Sequence, residues 1–107
     1  MTLRPGEVVL IRMEFHQGQG GKVRPAMVLL DTGDDDCVVA PITSRARDSR
    51  FDFAIQDWAL AGLNVPSKVR VHKLIVVAKA GIAKRLGMLG EADRSTLVRL
   101  LAEAFRE

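Results

Sequence analysis

A chain of 107 residues, 48% hydrophobic and 27% charged, is long enough to bury one modest core and too short for two. Nine glycines, four prolines and a single cysteine exclude fibrous, low-complexity and disulfide-stapled classes. The net charge of +3 is unevenly spread, with nine bases against three acids in residues 37–90 and slightly acidic flanks, so an anionic partner is expected to meet the middle of the chain.

Residues 1–6 carry no apolar leader and no apolar run approaches the ~18 residues that cross a bilayer, so one cytoplasmic domain over 1–107 is the expectation. The aliphatic run Val8-Val9-Leu10-Ile11 predicts a strand over residues 7–12. Residues 16–22 follow with three glycines and no apolar side chain, which predicts a loop of the kind that gates binding sites. Arg24-Pro25 is expected to open the second strand, because a residue before proline is driven into extended geometry. The aspartate-rich residues 31–36 predict a hairpin turn rather than a metal site, and residues 37–42 the return strand, with Cys37 a buried, inert thiol.

A polar, basic exit follows in Thr43-Ser44-Arg45-Ala46-Arg47, then a short strand at 51–55 and a segment in which Trp58 packs among apolar neighbours. Residues 68–74 alternate bases with Val69 and Val71, predicting a strand with one wet face that carries Arg70 and His72 on the same side. Leu97, Leu100, Leu101, Ala104 and Phe105 then recur at three and four residues, the spacing of an amphipathic helix. It is expected to start near Gly90, with Glu91 and Asp93 at the positive end of its dipole and Phe105 on its apolar face. Short strands capped by one helix imply an α+β, mainly β fold, a small twisted barrel.

His16, His72 and Cys37 lack metal-ligand spacing, and no nucleophile elbow is present, so the expected chemistry needs neither metal nor cofactor. RNA supplies its own nucleophile in the 2′-hydroxyl, and a protein cleaving it needs only a base, an acid and a positive donor for the developing phosphorane charge. Arg24 can give two parallel N–H bonds to a phosphate, Thr43 at a neighbouring strand end can hydrogen-bond the same group, and His72 is the candidate base.

Gly6-Glu7-Val8-Val9-Leu10, Lys22-Val23-Arg24-Pro25-Ala26, Val39-Ala40-Pro41-Ile42-Thr43-Ser44, Gly62-Leu63, Pro66-Ser67, Val69-Arg70 and Arg85-Leu86-Gly87 together resemble the MazF/PemK family of messenger-RNA-cleaving toxins over nearly the whole chain. The resemblance implies an SH3-like barrel, a homodimer, an antitoxin partner, and metal-independent cleavage of single-stranded RNA to a cyclic phosphate and a 5′-hydroxyl. It implies catalytic roles for Arg24 and Thr43, and RNA contacts from the first loop. The candidate RNA contacts are His16, Gln17 and Lys22 of that loop, Ser44 and Arg45 after Thr43, and Arg70. Where the family commonly shows an acid and then Gln, this chain has His72 and Lys73, which leaves the base open: His72 takes the role, or the chain cleaves slowly, reads a different sequence or is an inactive relative. Two other readings stay open: a protein-binding toxin resembling the CcdB-type gyrase poisons, and an RNA-binding module that cuts nothing.

Overall fold

The computed structural model describes residues 1–14, 21–46 and 48–106. Seven strands and one helix follow in the order β1 (Glu7–Glu14), β2 (Gly21–Asp31), β3 (Asp36–Thr43), β4 (Asp52–Ala54), β5 (Lys68–Arg70), β6 (Ile75–Ala78), β7 (Ile82–Met88) and α1 (Glu91–Ala104), with a 3-10 turn at Lys79–Gly81. The strands form one antiparallel sheet in the order β4-β5-β3-β2-β1-β7, with β6 also paired to β3. The expected mainly β fold with a terminal helix is therefore what forms, and the sheet is open rather than closed.

Strand β3 is the pivot. Its first half, Asp36 to Val39, pairs with β6, and its last two residues, Ile42 and Thr43, pair with β5. The chain leaves the β3 edge after Arg70 and returns at Ile75, so the single strand expected over 68–74 is instead three residues and a turn, closed by the Lys73 N–H on the Arg70 carbonyl at 3.0 Å. His72 accordingly lies on that turn. Strand β2 also departs from expectation: it begins at Gly21, three residues before Arg24, because β1 pairs with it as far as Glu14↔Gly21.

Alternation sorts the strand residues into two cores. Val8, Met27, Ala40 and Ile42 face Phe53, Val69, Leu89 and Leu97, while Val9, Ile11, Ala26, Val28, Cys37 and Val39 face the other way with Leu3. A strand buried on both faces carries a continuous aliphatic run, which is why residues 8–11 show no alternation. Cys37 is buried, and desolvation raises its thiol pKa, as expected of an inert core residue. Trp58 is half-buried against the first core.

The gap between the two ends of the sheet is spanned backbone to backbone. Gly62, at φ +91°, lies so close to the Leu86 carbonyl of β7 that a Cβ would overlap it, and a Cβ on Gly87 would sit 2.5 Å from the Ala61 carbonyl oxygen. Glycine is required at both positions because no side chain fits between the two chain segments. Helix α1 is anchored beside this contact. The Asp93 carboxylate, 2% exposed, accepts the N–H groups of Gln56 and Asp57, each at 2.9 Å, so it is a long-range clamp and not only a partner of the helix dipole. Phe105 does not pack as expected: α1 ends at Ala104, Phe105 takes φ −95° and ψ 2°, and 69% of it is exposed. Among the described residues no helix is long and apolar enough to cross a membrane.

Candidate active site

The pairing of β2 with β3 runs Val28↔Val39, Met27↔Ala40, Ala26↔Pro41 and then stops. Prolines 25 and 41 bracket the stop, and a residue without an N–H cannot extend a ladder. Arg24 shares a face of β2 with Ala26 and Thr43 a face of β3 with Pro41, and both line the space beyond the last pair. Here a depression of about 600 Å³ opens. Its lining includes Leu10, Pro25 and Ile42, with Arg24, Thr43, Ser44 and Arg45, residues 62–65 and Leu86.

Arg24 is exposed, and no ion pair engages its guanidinium among the described residues. Thr43 is half-exposed, and its Oγ1 accepts the Arg45 N–H at 3.1 Å, which holds the turn after β3 and leaves the hydroxyl hydrogen to donate into the depression. Ser44 and Arg45 are exposed on that turn. Lys22, also exposed, precedes Arg24 by two residues and so shares its face of β2. His16 and Gln17, with Arg47, lie outside the described residues. On the far edge of β3, Thr43 pairs with Lys68 of β5. Sequence reasoning missed Lys68, whose only signal is this pairing.

Arg70 and His72 are brought to each other and not to the depression. Arg70 Nε donates to Asp52 Oδ1 at 2.9 Å, and the Asp52 side chain is 1% exposed. Burial raises the Asp52 pKa, but the N–H and hydroxyl of Ser49 and the Arg70 guanidinium outweigh it and hold the carboxyl at about 2. The Arg70 Nη2 lies 3.4 Å from His72 Nε2, and the His72 ring lies 5.7 Å from the Phe51 ring at 38°. The Arg50 guanidinium covers Phe51 at 4.9 Å. The same-side expectation for Arg70 and His72 thus holds through a turn rather than through strand alternation.

The aspartates of the 31–36 turn are engaged elsewhere. Asp31 accepts the N–H groups of Leu3 at 2.7 Å and Gly33 at 2.8 Å and pairs with Lys79 at 2.7 Å. The Lys79 ammonium first, then the two N–H groups, hold its pKa well below the ordinary carboxylate range. Asp34 accepts the Thr32 hydroxyl and the Asp36 N–H. No group of three potential metal ligands gathers among the described residues.

The family described as PemK-like, MazF-like toxin of type II toxin-antitoxin system matches residues 4–105. No curated protein sequence matches the chain. Among solved structures, the fold is similar to the Mycobacterium tuberculosis toxin MazF-mt6, with a TM-score of 0.75 at 23% identity over 95% of this chain and 96% of that one. It is similar to MazE-MazF (Form-II) from Deinococcus radiodurans, with a TM-score of 0.78 at 19% identity over 97% and 96%. It is similar also to an endoribonuclease in complex with its cognate antitoxin from Mycobacterial species, with a TM-score of 0.75 at 16% identity over 96% and 94%.

Proposed function

The chain belongs to the PemK-like, MazF-like toxin family of type II toxin-antitoxin systems, and from that premise we propose that it is a sequence-specific, metal-independent endoribonuclease acting on single-stranded RNA. The observation that supports this reading is that Arg24 and Thr43 line the same open depression. A scissile phosphate placed there receives two N–H bonds from the Arg24 guanidinium and one O–H bond from Thr43. The neighbouring 2′-oxygen attacks phosphorus and loses its proton, negative charge grows on the non-bridging oxygens where Arg24 meets it, and the 5′-oxygen leaves with a proton. The products are a 2′,3′-cyclic phosphate and a 5′-hydroxyl. His72 stands outside the depression, so this assignment rests on Arg24 and Thr43.

The partners proposed with it are a second copy of the chain and an antitoxin protein, in keeping with the antitoxin complexes among the structures of similar fold. The test incubates purified protein with a long single-stranded RNA in excess EDTA beside Arg24→Ala and maps new ends. Discrete cuts by wild type alone, ending in cyclic phosphate, are expected; intact RNA in both rejects the reading. One observation favours a second reading, that of a protein-binding toxin: Phe105 and Val98 of the helix are exposed, at 69% and 56%. Intact RNA together with retained toxicity that Phe105→Ala abolishes would select it.

A further inference from the structure

Outside the depression, the structure gathers one cluster that the proposed cleavage does not use. Phe51 is the centre of it: the His72 ring lies tilted against it at 5.7 Å, and the Arg50 guanidinium lies over its face at 4.9 Å. His72 and Arg50 are exposed and Phe51 is half-buried, so the outer faces of the cluster are open. The support beneath is rigid. Asp52 holds both Arg70 and the Ser49 turn, and the Phe51 carbonyl accepts the Val71 N–H at 3.0 Å.

We propose that Phe51, His72 and Arg50 form a stacking platform for a base of the single-stranded RNA a few nucleotides away from the cleaved bond. The proposal rests on the endoribonuclease reading for what fills the depression. The two sites are linked along the chain: Lys68 of β5 pairs with Thr43, and His72 lies on the turn that follows β5. An exposed imidazole and an exposed guanidinium, both packed on an aromatic ring, are surfaces on which unpaired bases stack. Acidic peptide, the other candidate for this edge, has no use for ring faces.

Fluorescence anisotropy with 12-mer 2′-O-methyl RNA, which cannot be cut, compares base-bearing adenosine and uridine strands with an abasic strand of the same length. Wild type is expected to prefer the base-bearing strands. Phe51→Ala and His72→Ala are each expected to lose about tenfold in affinity for them and none for the abasic strand, while His72→Phe keeps the preference. A thermal melt of each variant, and the unchanged abasic affinity, show that a loss is not unfolding. Equal binding of all strands by wild type overturns the proposal. So does a loss on base-bearing and abasic strands alike, which would mark phosphate contact, or an unchanged RNA affinity with weakened antitoxin binding. Base-dependent binding by a protein that leaves ordinary RNA intact would reject the nuclease and keep the platform.

Discussion

The hairpin of β2 and β3 has two ends that differ in how much of their bonding capacity is used. At the turn end, Asp31 alone joins the N-terminal segment, the hairpin turn and the 3-10 turn through Leu3, Gly33 and Lys79. At the open end, the β2–β3 pairing stops after Ala26 and Pro41, and an exposed arginine and a threonine line the depression beyond it. A carboxylate with every partner supplied stabilises the fold and has nothing left to offer a ligand. A guanidinium with no ion pair among the described residues adds little to stability and keeps its donors for an anion. The division predicts that substitutions at one end change activity alone and at the other change stability alone.

Arg24→Ala is the largest expected effect. Removing a preorganised donor to a developing oxyanion costs about 10²- to 10³-fold in rate, whereas an exposed residue of this kind changes stability by less than about 0.5 kcal/mol. Cleavage kinetics and a denaturant melt on the same preparation would check both; a melt that shifts with the rate would erase the contrast between the ends. Gly87→Ala comes next and acts on the wall of the depression. Its Cβ would meet the Ala61 backbone at 2.5 Å, and neither segment yields without breaking the contact that spans the sheet. A loss of about 1–3 kcal/mol is expected from such overpacking, measured by urea unfolding, and a neutral result would show that the span is loose.

At the saturated end, Asp31→Asn removes the charge that Lys79 meets while keeping the side chain's shape, and a fall of about 5 °C in melting temperature with unchanged cleavage is the expected outcome. Acid titration extends the contrast. The Asp31 and Asp52 carboxyls are both more acidic in the fold than their ordinary value of 3.8, Asp52 at about 2. A depressed carboxyl stabilises the fold above its unfolded pKa, and the contribution fades as pH falls through the folded value. Stability should therefore be flat above about pH 5 and decline toward pH 2, and Asp52→Asn should flatten that decline while lowering the plateau. A decline of unchanged size in Asp52→Asn would assign it to other carboxyls.

Much of this architecture was legible from local pattern. The run at 8–11, the aspartate turn, the burial of Cys37 and Trp58 and the helix start at Gly90 each follow from a few neighbouring residues. What was not legible depends on residues far apart in the chain. Strands β6 and β7 are held by pairing with β3 and β1, and no expectation named them as strands. The split of residues 68–74 arises because β3 changes partner midway. Arg24 and Thr43 were each candidates by type, but their place in one depression follows from the pairing of β2 with β3, and Lys68 enters only through the register of β5. Asp93 was read as a dipole partner because its acceptor role reaches 37 and 36 residues back.

Thr43→Val is the smallest effect and the sharpest probe of the boundary between the two kinds of end, because Thr43 has a share in both. Its Oγ1 accepts the Arg45 N–H, a structural bond of the sort that saturates the other end of the hairpin. Its hydrogen is the part assigned to the phosphate. Valine keeps the shape and β-branching and deletes both bonds, so stability should fall by about 0.5–1.5 kcal/mol and cleavage by about tenfold, the rate equivalent of ~1.4 kcal/mol. Thr43→Ser separates them, since serine restores the acceptor and the donor together and should recover both losses. If Thr43→Val loses stability and keeps its full rate, the hydroxyl belongs wholly to the turn, and Arg24 is left as the lone phosphate ligand at the open end.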